Sequence, residues 1–287
     1  MLKRIVTIQD ISCFGKCSST VALPIISAMG VETAVIPTAV LSTHTGGFTG
    51  YTFRDLTADI PQITAHWKSL NLHFDGIYTG YLGSREQINM VIDFIDLFAD
   101  ENTQVIVDPV MGDNGKFYAG FTPDFVLEMK RLCQKADVIV PNLTEAHLLL
   151  DQPYVEIPDE QEIHTMLQKL TEFGCKAAVI TGVRYPVGQH GASSYDKETD
   201  TFYSTFRKHV PDTMHGTGDI FASVLSGALI RGASLEKAVY AAVNFTTDAI
   251  EATVDDLHNL PHEQAPWYGV EFETCMDKLI QYTKDLT

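Results

Sequence analysis

Met214-His215-Gly216-Thr217-Gly218-Asp219 runs into the apolar stretch Ile220-Phe221-Ala222-Ser223-Val224-Leu225, placing two glycines, a hydroxyl and a carboxylate where a helix is expected to begin. Glycine lets the backbone turn sharply and approach a ligand closely. The first turn of a helix offers unpaired N–H groups and a positive dipole end to an anion. A carboxylate beside such an anion hole is not itself the anion being bound. It reads as a base, or a charge-positioning group, acting on a substrate that brings its own negative charge, as phosphoryl transfer to a hydroxyl requires. Taken alone, G-x-G-D is a weak signal that arises by chance in roughly one chain in ten, and an aspartate at a helix start has an ordinary capping role.

Two further constellations bear on that chemistry. Asp108-Pro109-Val110-Met111-Gly112-Asp113 ends an apolar run with two carboxylates five residues apart. They read either as turn residues or as groups setting the field near Mg²⁺, partly through water, because magnesium keeps much of its hydration shell. Pro141-Asn142-Leu143-Thr144-Glu145 puts an amide and a carboxylate three residues apart at a helix start, which is equally a capping signature.

The elements that must position these groups are visible as alternating segments. Short runs rich in Val and Ile (Ile5–Ile8, Thr33–Pro37, Gly76–Thr79, Gln104–Asp108, Val138–Val140, Ala177–Thr181) read as buried strands of a parallel sheet. Between them, Ser18–Met29, Ser84–Phe98, Asp124–Cys133, Thr144–Leu150 and Glu160–Phe173 read as helices. Ser194–Asp196 and Thr201–Ser204 flank a charged turn and read as a hairpin, followed by helices at Thr217–Ile230 and Ser234–Ile250. The fold class is α/β, a mostly parallel sheet with helices on both faces, expected as one domain over residues 1–287. Open parallel sheets bind ligands beyond the carboxyl ends of their strands. There the sequence is polar: Gln9-Asp10, Gly80-Tyr81, Asp108 and Asp113, Asn142 and Glu145, Thr181-Gly182.

A net charge of −17 argues against nucleic acid or an anionic membrane surface as partner. The five scattered cysteines suggest free thiols, and Ile5–Ile8 is too short an apolar run for a signal peptide, so a cytoplasmic location is expected. Cys13 and Cys17 lack the second pair that a zinc site needs.

Gly216-Thr217-Gly218-Asp219, taken in order with Gly80-Tyr81-Leu82-Gly83-Ser84, Asp108–Asp113 and Pro141–Glu145, resembles the ribokinase-like superfamily, and specifically its pyridoxal kinase branch. The resemblance implies a ribokinase-like fold and ATP-dependent phosphorylation of the 5′-hydroxymethyl group of a vitamin B6 form. It implies ATP and Mg²⁺, leaves K⁺ open, and suggests a homodimer. Asp219 matches the catalytic base, and Gly216, Thr217 and Gly218 the anion hole. Asp108, Asn142, Glu145, Thr181 and Tyr118 match the nucleotide side, with Asp108, Asp113 and Glu145 nearest the metal. Ser12, His44, Thr45 and Tyr81 match the substrate side.

The sequence departs from that branch at Asp10, where a serine is usual, with Ser12 two residues on. A carboxylate pairs with a protonated ring nitrogen or an amine better than a hydroxyl does, so Asp10 is expected either to shift preference among B6 forms or merely to cap the following turn. Gly46-Gly47-Phe48-Thr49-Gly50 is also richer in glycine than the resemblance leads one to expect. Trp67 and Trp267 read as packing residues. Competing readings are a hydroxymethylpyrimidine kinase of the same fold and a non-catalytic B6-binding protein. A dinucleotide-dependent oxidoreductase lacks its G-x-G-x-x-G after the first strand.

Overall fold

Consecutive residues of the central strands are buried on opposite faces. Ile5, Tyr78, Ile106, Val138 and Val179 belong to one apolar core. Val6, Ile77, Val105, Ile139 and Ala178 belong to the other. A strand buried on both sides must be apolar at nearly every position, which is why these segments read as continuous runs rather than alternating ones.

The computed structural model describes residues 2–185, 188–210, 214–261, 265–284 and 286. Its strands are β1 (Arg4–Ser12), β2 (Glu32–Leu41), β3 (Phe53–Asp55), β4 (Gly76–Thr79), β5 (Gln104–Val107), β6 (Gly112–Asp113), β7 (Lys116–Phe117), β8 (Val138–Ile139), β9 (Ala177–Tyr185), β10 (Gln189–Asp196) and β11 (Thr201–Lys208). Among the described residues, nine of them form one sheet in the order β11-β10-β9-β8-β5-β4-β1-β2-β3. The six central strands from β9 to β2 are parallel. Antiparallel strands close both edges, β3 on one side and the β10–β11 hairpin on the other. β6 and β7 form a separate small hairpin.

The helices are α1 (Ser19–Ala28), α2 (Ile60–Ser69), α3 (Arg85–Phe98), α4 (Pro123–Cys133), α5 (Leu143–Leu149), α6 (Glu160–Thr171), α7 (Thr217–Ile230), α8 (Leu235–Asn259) and α9 (Met276–Thr283). α1, α7, α8 and α9 cover one face of the sheet, and α2 to α6 the other. Every residue of α7 from Ile220 to Ile230 is buried, as befits a helix enclosed by other elements on all sides.

The expected α/β layering is present, with differences of extent and some added elements. β1 continues to Ser12 through a register shift between Gln9 and Ile11, so Asp10 sits within a strand and not in a turn. β9 passes Thr181 to reach Tyr185 and bulges at Gly182, whose φ is +73°. α8 extends nine residues beyond Ile250 to Asn259. β3, α2, the β6–β7 hairpin and α9 were not expected from periodicity.

Candidate active site

α7 starts at the carboxyl edge of the sheet, and its N-terminus is open. Gly216 is the N-cap, in the left-handed region with φ +85°, and no side chain caps the helix. Only glycine fits here, because a Cβ on Gly216 would lie 1.9 Å from the carbonyl oxygen of Lys16. Gly218 is the opposite case: a Cβ there would meet nothing within 4 Å. The first-turn amides of Thr217, Gly218 and Asp219 have no partner inside the helix, and Thr217 and Gly218 line an open cavity. Asp219 still reaches solvent in part, but protein encloses its carboxyl closely enough that burial raises its pKa to about 7. A hydrogen bond with the Ser18 backbone opposes this shift and the charge of Asp10 reinforces it.

The other expected helix start, at α5, is closed. Asn142 Oδ1 accepts from Glu145 N at 3.0 Å, and Glu145 Oε2 accepts from Asn142 N at 2.9 Å. This is the reciprocal capping box. Glu145 Oε1 also accepts from Met111 N at 2.9 Å, and Asn142 Nδ2 donates to Gly112 O at 2.8 Å. Asn142 and Glu145 thus clamp the loop that follows β5, and Asn142 also lines the cleft.

Asp108, at the end of that strand, is buried, and its pKa is pushed well up by burial, then by Glu145 and Asp219. Glu145 is raised as well, mainly by its own burial. Asp113 is exposed and accepts from the backbone and side chain of Asn114. The phenol of Tyr118 is raised by burial and by Glu145, Asp113, Asp108 and Asp219. Among the described residues no three His, Cys, Asp or Glu side chains are grouped as a metal cage. The carboxylates fit a cation of another kind. Asp108 is a buried acid beside two further carboxyls, Glu145 and Asp219, a concentration of negative charge that a hydrated divalent cation would relieve.

Asp113, Tyr118, Asn142, Thr181, Thr217 and Gly218 line one side of a cavity of about 240 Å³. The nucleotide-side residues expected from sequence meet there, apart from Asp108 and Glu145, which lie behind the wall. Thr181 is tied to the α5 start by a bridge to Asn142 and by its amide, which donates to Pro141 O at 3.0 Å.

Of the residues expected on the substrate side, Ser12, His44 and Tyr81 lie around Asp10, which in turn lies near Asp219. Asp10 is buried, and Ser12 Oγ donates to its Oδ2 at 3.1 Å. Burial raises the Asp10 pKa, while hydrogen bonds from Ser18 and Ser12 hold it down. Burial also raises the Tyr81 phenol, and the charge of Asp10 adds to that. His44 is spent on the backbone: its Nδ1 accepts from Gly46 N at 3.1 Å, and its Nε2 pairs with Tyr268 O at 2.7 Å. It positions a loop and is not free to ligate. Thr45 is exposed, whereas Thr43, two residues before it, has a buried hydroxyl with no partner.

Several residues at this site had no sequence signal. Ser18, read as the first residue of a helix, instead has φ +55° and touches both Asp10 and Asp219. Phe14, Phe48, Trp267 and Tyr268 form an aromatic wall with ring centroids 4.7 to 6.1 Å apart. In the glycine-rich loop, Gly46 and Gly47 leave room for the rings of His215 and Trp267. Trp67 packs on Phe74 and Phe94 as expected.

The phosphomethylpyrimidine kinase family matches residues 23–262. A candidate phosphomethylpyrimidine kinase from Bacteroides thetaiotaomicron, solved with pyridoxal, is 38% identical with a TM-score of 0.90, covering 97% of this chain and 96% of that one. Pyridoxal kinase from Lactobacillus plantarum is 33% identical with a TM-score of 0.89, covering 99% of each chain. A pyridoxine/pyridoxal/pyridoxamine kinase from Bordetella avium is 28% identical over 88% of this chain and 86% of its own length. The chain belongs to the phosphomethylpyrimidine kinase family, on the pyridoxal kinase branch of the ribokinase-like superfamily, and is a phosphotransferase with an alcohol group as acceptor.

Proposed function

We propose that this protein transfers the γ-phosphoryl group of ATP to the 5′-hydroxymethyl group of a vitamin B6 pyridine. The observation that carries the reading is Asp219, a carboxyl with a pKa near 7 set beside the uncapped amides of α7. The B6 names of the relatives and the pyridoxal in the Bacteroides structure support the choice of acceptor.

In this mechanism Asp219 takes the proton as the substrate O–H bond breaks. The new O–P bond forms while the bond to ADP breaks. The amides of Gly216, Thr217 and Gly218 hold the transferring oxygens, acting on a loose transition state that needs positioning and charge neutralisation more than covalent chemistry. Asp108, Asp113 and Glu145 supply the negative field for Mg²⁺, which offsets phosphate charge when bound. Asn142, Thr181 and Tyr118 border the nucleotide. Asp10, Ser12, Thr45 and Tyr81 orient the pyridine, and His44 holds the loop that carries Thr45.

The test is ADP release from ATP with pyridoxal, pyridoxine, pyridoxamine and hydroxymethylpyrimidine. A B6 form should give the highest kcat/KM; preference for hydroxymethylpyrimidine would move the protein to the reading carried by a Bacillus subtilis relative of that name, 27% identical over 64% of this chain. Binding of pyridoxal without ADP release would leave a non-catalytic binder. In the same panel Asp10→Ser should lose roughly tenfold in kcat/KM for pyridoxamine, the scale of one hydrogen bond to a charged group, and less for pyridoxine. Equal losses across the forms would reduce Asp10 to a scaffold residue.

A further inference from the structure

Lysine is a surface residue unless something pairs with it, yet Lys16, on the loop between β1 and α1, leaves only 17% of its side chain in solvent. Its backbone is wedged between two glycines from distant parts of the chain. A Cβ on Gly216 would lie 1.9 Å from the Lys16 carbonyl oxygen, and a Cβ on Gly269 would lie 2.7 Å from the Lys16 Cβ. The side chain then turns to the segment at 269–273. Its Nζ donates to Glu273 Oε2 at 2.6 Å and stands 5.7 Å from the centre of the Phe272 ring. Its charge acts on Glu271 as well.

The 269–273 segment is itself fastened to the rest of the site. Val270 N donates to His215 O at 3.3 Å, directly before the Gly216 N-cap, and Glu271 N donates to Thr253 Oγ1 of α8 at 2.8 Å. Lys16 thus joins three stretches that are far apart in sequence, at 15–18, 214–216 and 269–273. Two residues beyond it, Ser18 touches both Asp10 and Asp219. Glu273 is largely exposed, and an ion pair of that kind adds only about 0–1 kcal/mol to stability. As a staple of the fold it is weak. Its consequence lies in placement, because an error of about 1 Å near reacting groups costs about a hundredfold in rate.

On the reading that Asp219 and the α7 amides form the catalytic centre, we propose that Lys16 is a positioning residue for phosphoryl transfer: anchored by Glu273, it holds its own carbonyl against Gly216 and Ser18 against Asp219. Lys16→Met keeps the apolar stem and removes the charge. It should lower kcat about tenfold, short of the cost of a full ångström, with KM for ATP and for the B6 acceptor within about twofold. Tm should stay within about 2–4 °C of wild type. Glu273→Gln, on the exposed partner, should lose the same rate, and the double variant no more than either alone. Lys16→Arg, which keeps the charge, should restore most of it. Wild-type kcat in Lys16→Met, losses that add in the double variant, or a Tm that falls with kcat and is not recovered by Lys16→Arg overturns the assignment while leaving the kinase reading intact. A wild type that releases no ADP with any acceptor overturns both.

Discussion

α5 and α7 both begin at the carboxyl edge of the sheet, both follow a polar signature, and they use their first turns in opposite ways. At α5, Asn142 and Glu145 satisfy each other and the loop at 111–112, so the first turn is closed by the protein's own side chains. At α7, glycine occupies the N-cap, no side chain closes the turn, and the space in front of Gly218 is empty. A capped helix start stabilises the fold by about 0.5–2 kcal/mol. An uncapped one gives that up and offers its donors to an anion instead. The signature most convincing as a structural motif is therefore the wall of the site, and the weaker tetrapeptide is its floor.

The largest effect should come from the open end. Asp219→Asn removes the base and should lower kcat by ~10²–10⁴-fold, with ATP affinity nearly unchanged by calorimetry. The same variant separates rate from stability. In the fold the Asp219 carboxyl holds its proton up to about pH 7, against an ordinary 3.8. The stability this protonated group contributes is full below about pH 4 and is lost as pH rises through about 7, because the unfolded chain has already released the proton. Wild-type kcat/KM should therefore rise with pH through a midpoint near 7 while wild-type stability declines over the same window. Asp219→Asn, neutral throughout, should match wild type in Tm near pH 4 and exceed it near pH 8. Equal Tm values at the higher pH would mean that the carboxyl is not held out of water as the geometry requires.

How much of this was legible in the residues differs between the two ends. The Val and Ile runs and the position of Thr217–Ile230 follow from periodicity alone, and so does the start of α5, since Asn142 and Glu145 act on neighbours in the chain. The support behind α7 does not. Position 216 needs glycine because its φ is positive and because the carbonyl of Lys16, 200 residues earlier, occupies the place of a Cβ. Ser18 looks like any residue opening a helix, and its positive φ goes with hydrogen bonds to Asp10 and to the distant Asp219 that no local pattern announces. β1 outruns its apolar core because Ile11 and Ser12 pair with Val40 and Leu41 of β2, a tertiary reason. The aromatic wall joins Phe14 and Phe48 to Trp267 and Tyr268, and no local pattern announces it.

The two glycines of the motif sharpen the comparison further. Gly216→Ala places a methyl on the Lys16 carbonyl at a left-handed φ, so it should lower both Tm and kcat. Gly218→Ala meets no protein atom, so Tm should hold while the methyl intrudes on the space reserved for the phosphoryl oxygens. Each should cost about tenfold to hundredfold in kcat, just under the loss of a preorganised donor at a comparable hole. Thermal melts beside kinetics decide the point: a Gly218→Ala enzyme of normal rate would mean that the anion does not lie against that turn.

The smallest effect should come from the closed end. Asn142 uses both ends of its amide on the protein, Oδ1 on Glu145 N and Nδ2 on Gly112 O. Asn142→Ala removes the cap and one tie to the 111–112 loop together, for about 1 kcal/mol of cap energy, which is roughly 2–4 °C in Tm for a chain of this order of size. Asn142→Asp separates the two, since an aspartate still accepts from Glu145 N but no longer donates to Gly112 O, and it adds a charge beside Glu145. Both variants leave the loop untied and should raise KM for ATP, whereas Asn142→Asp alone should recover the cap. Its kcat at saturating ATP should fall by less than that of either glycine variant. If Asn142→Ala instead lost as much kcat as Asp219→Asn with an unchanged melt, the amide would belong to the reacting phosphates, and the contrast between a sealed helix start and an open one would no longer describe this site.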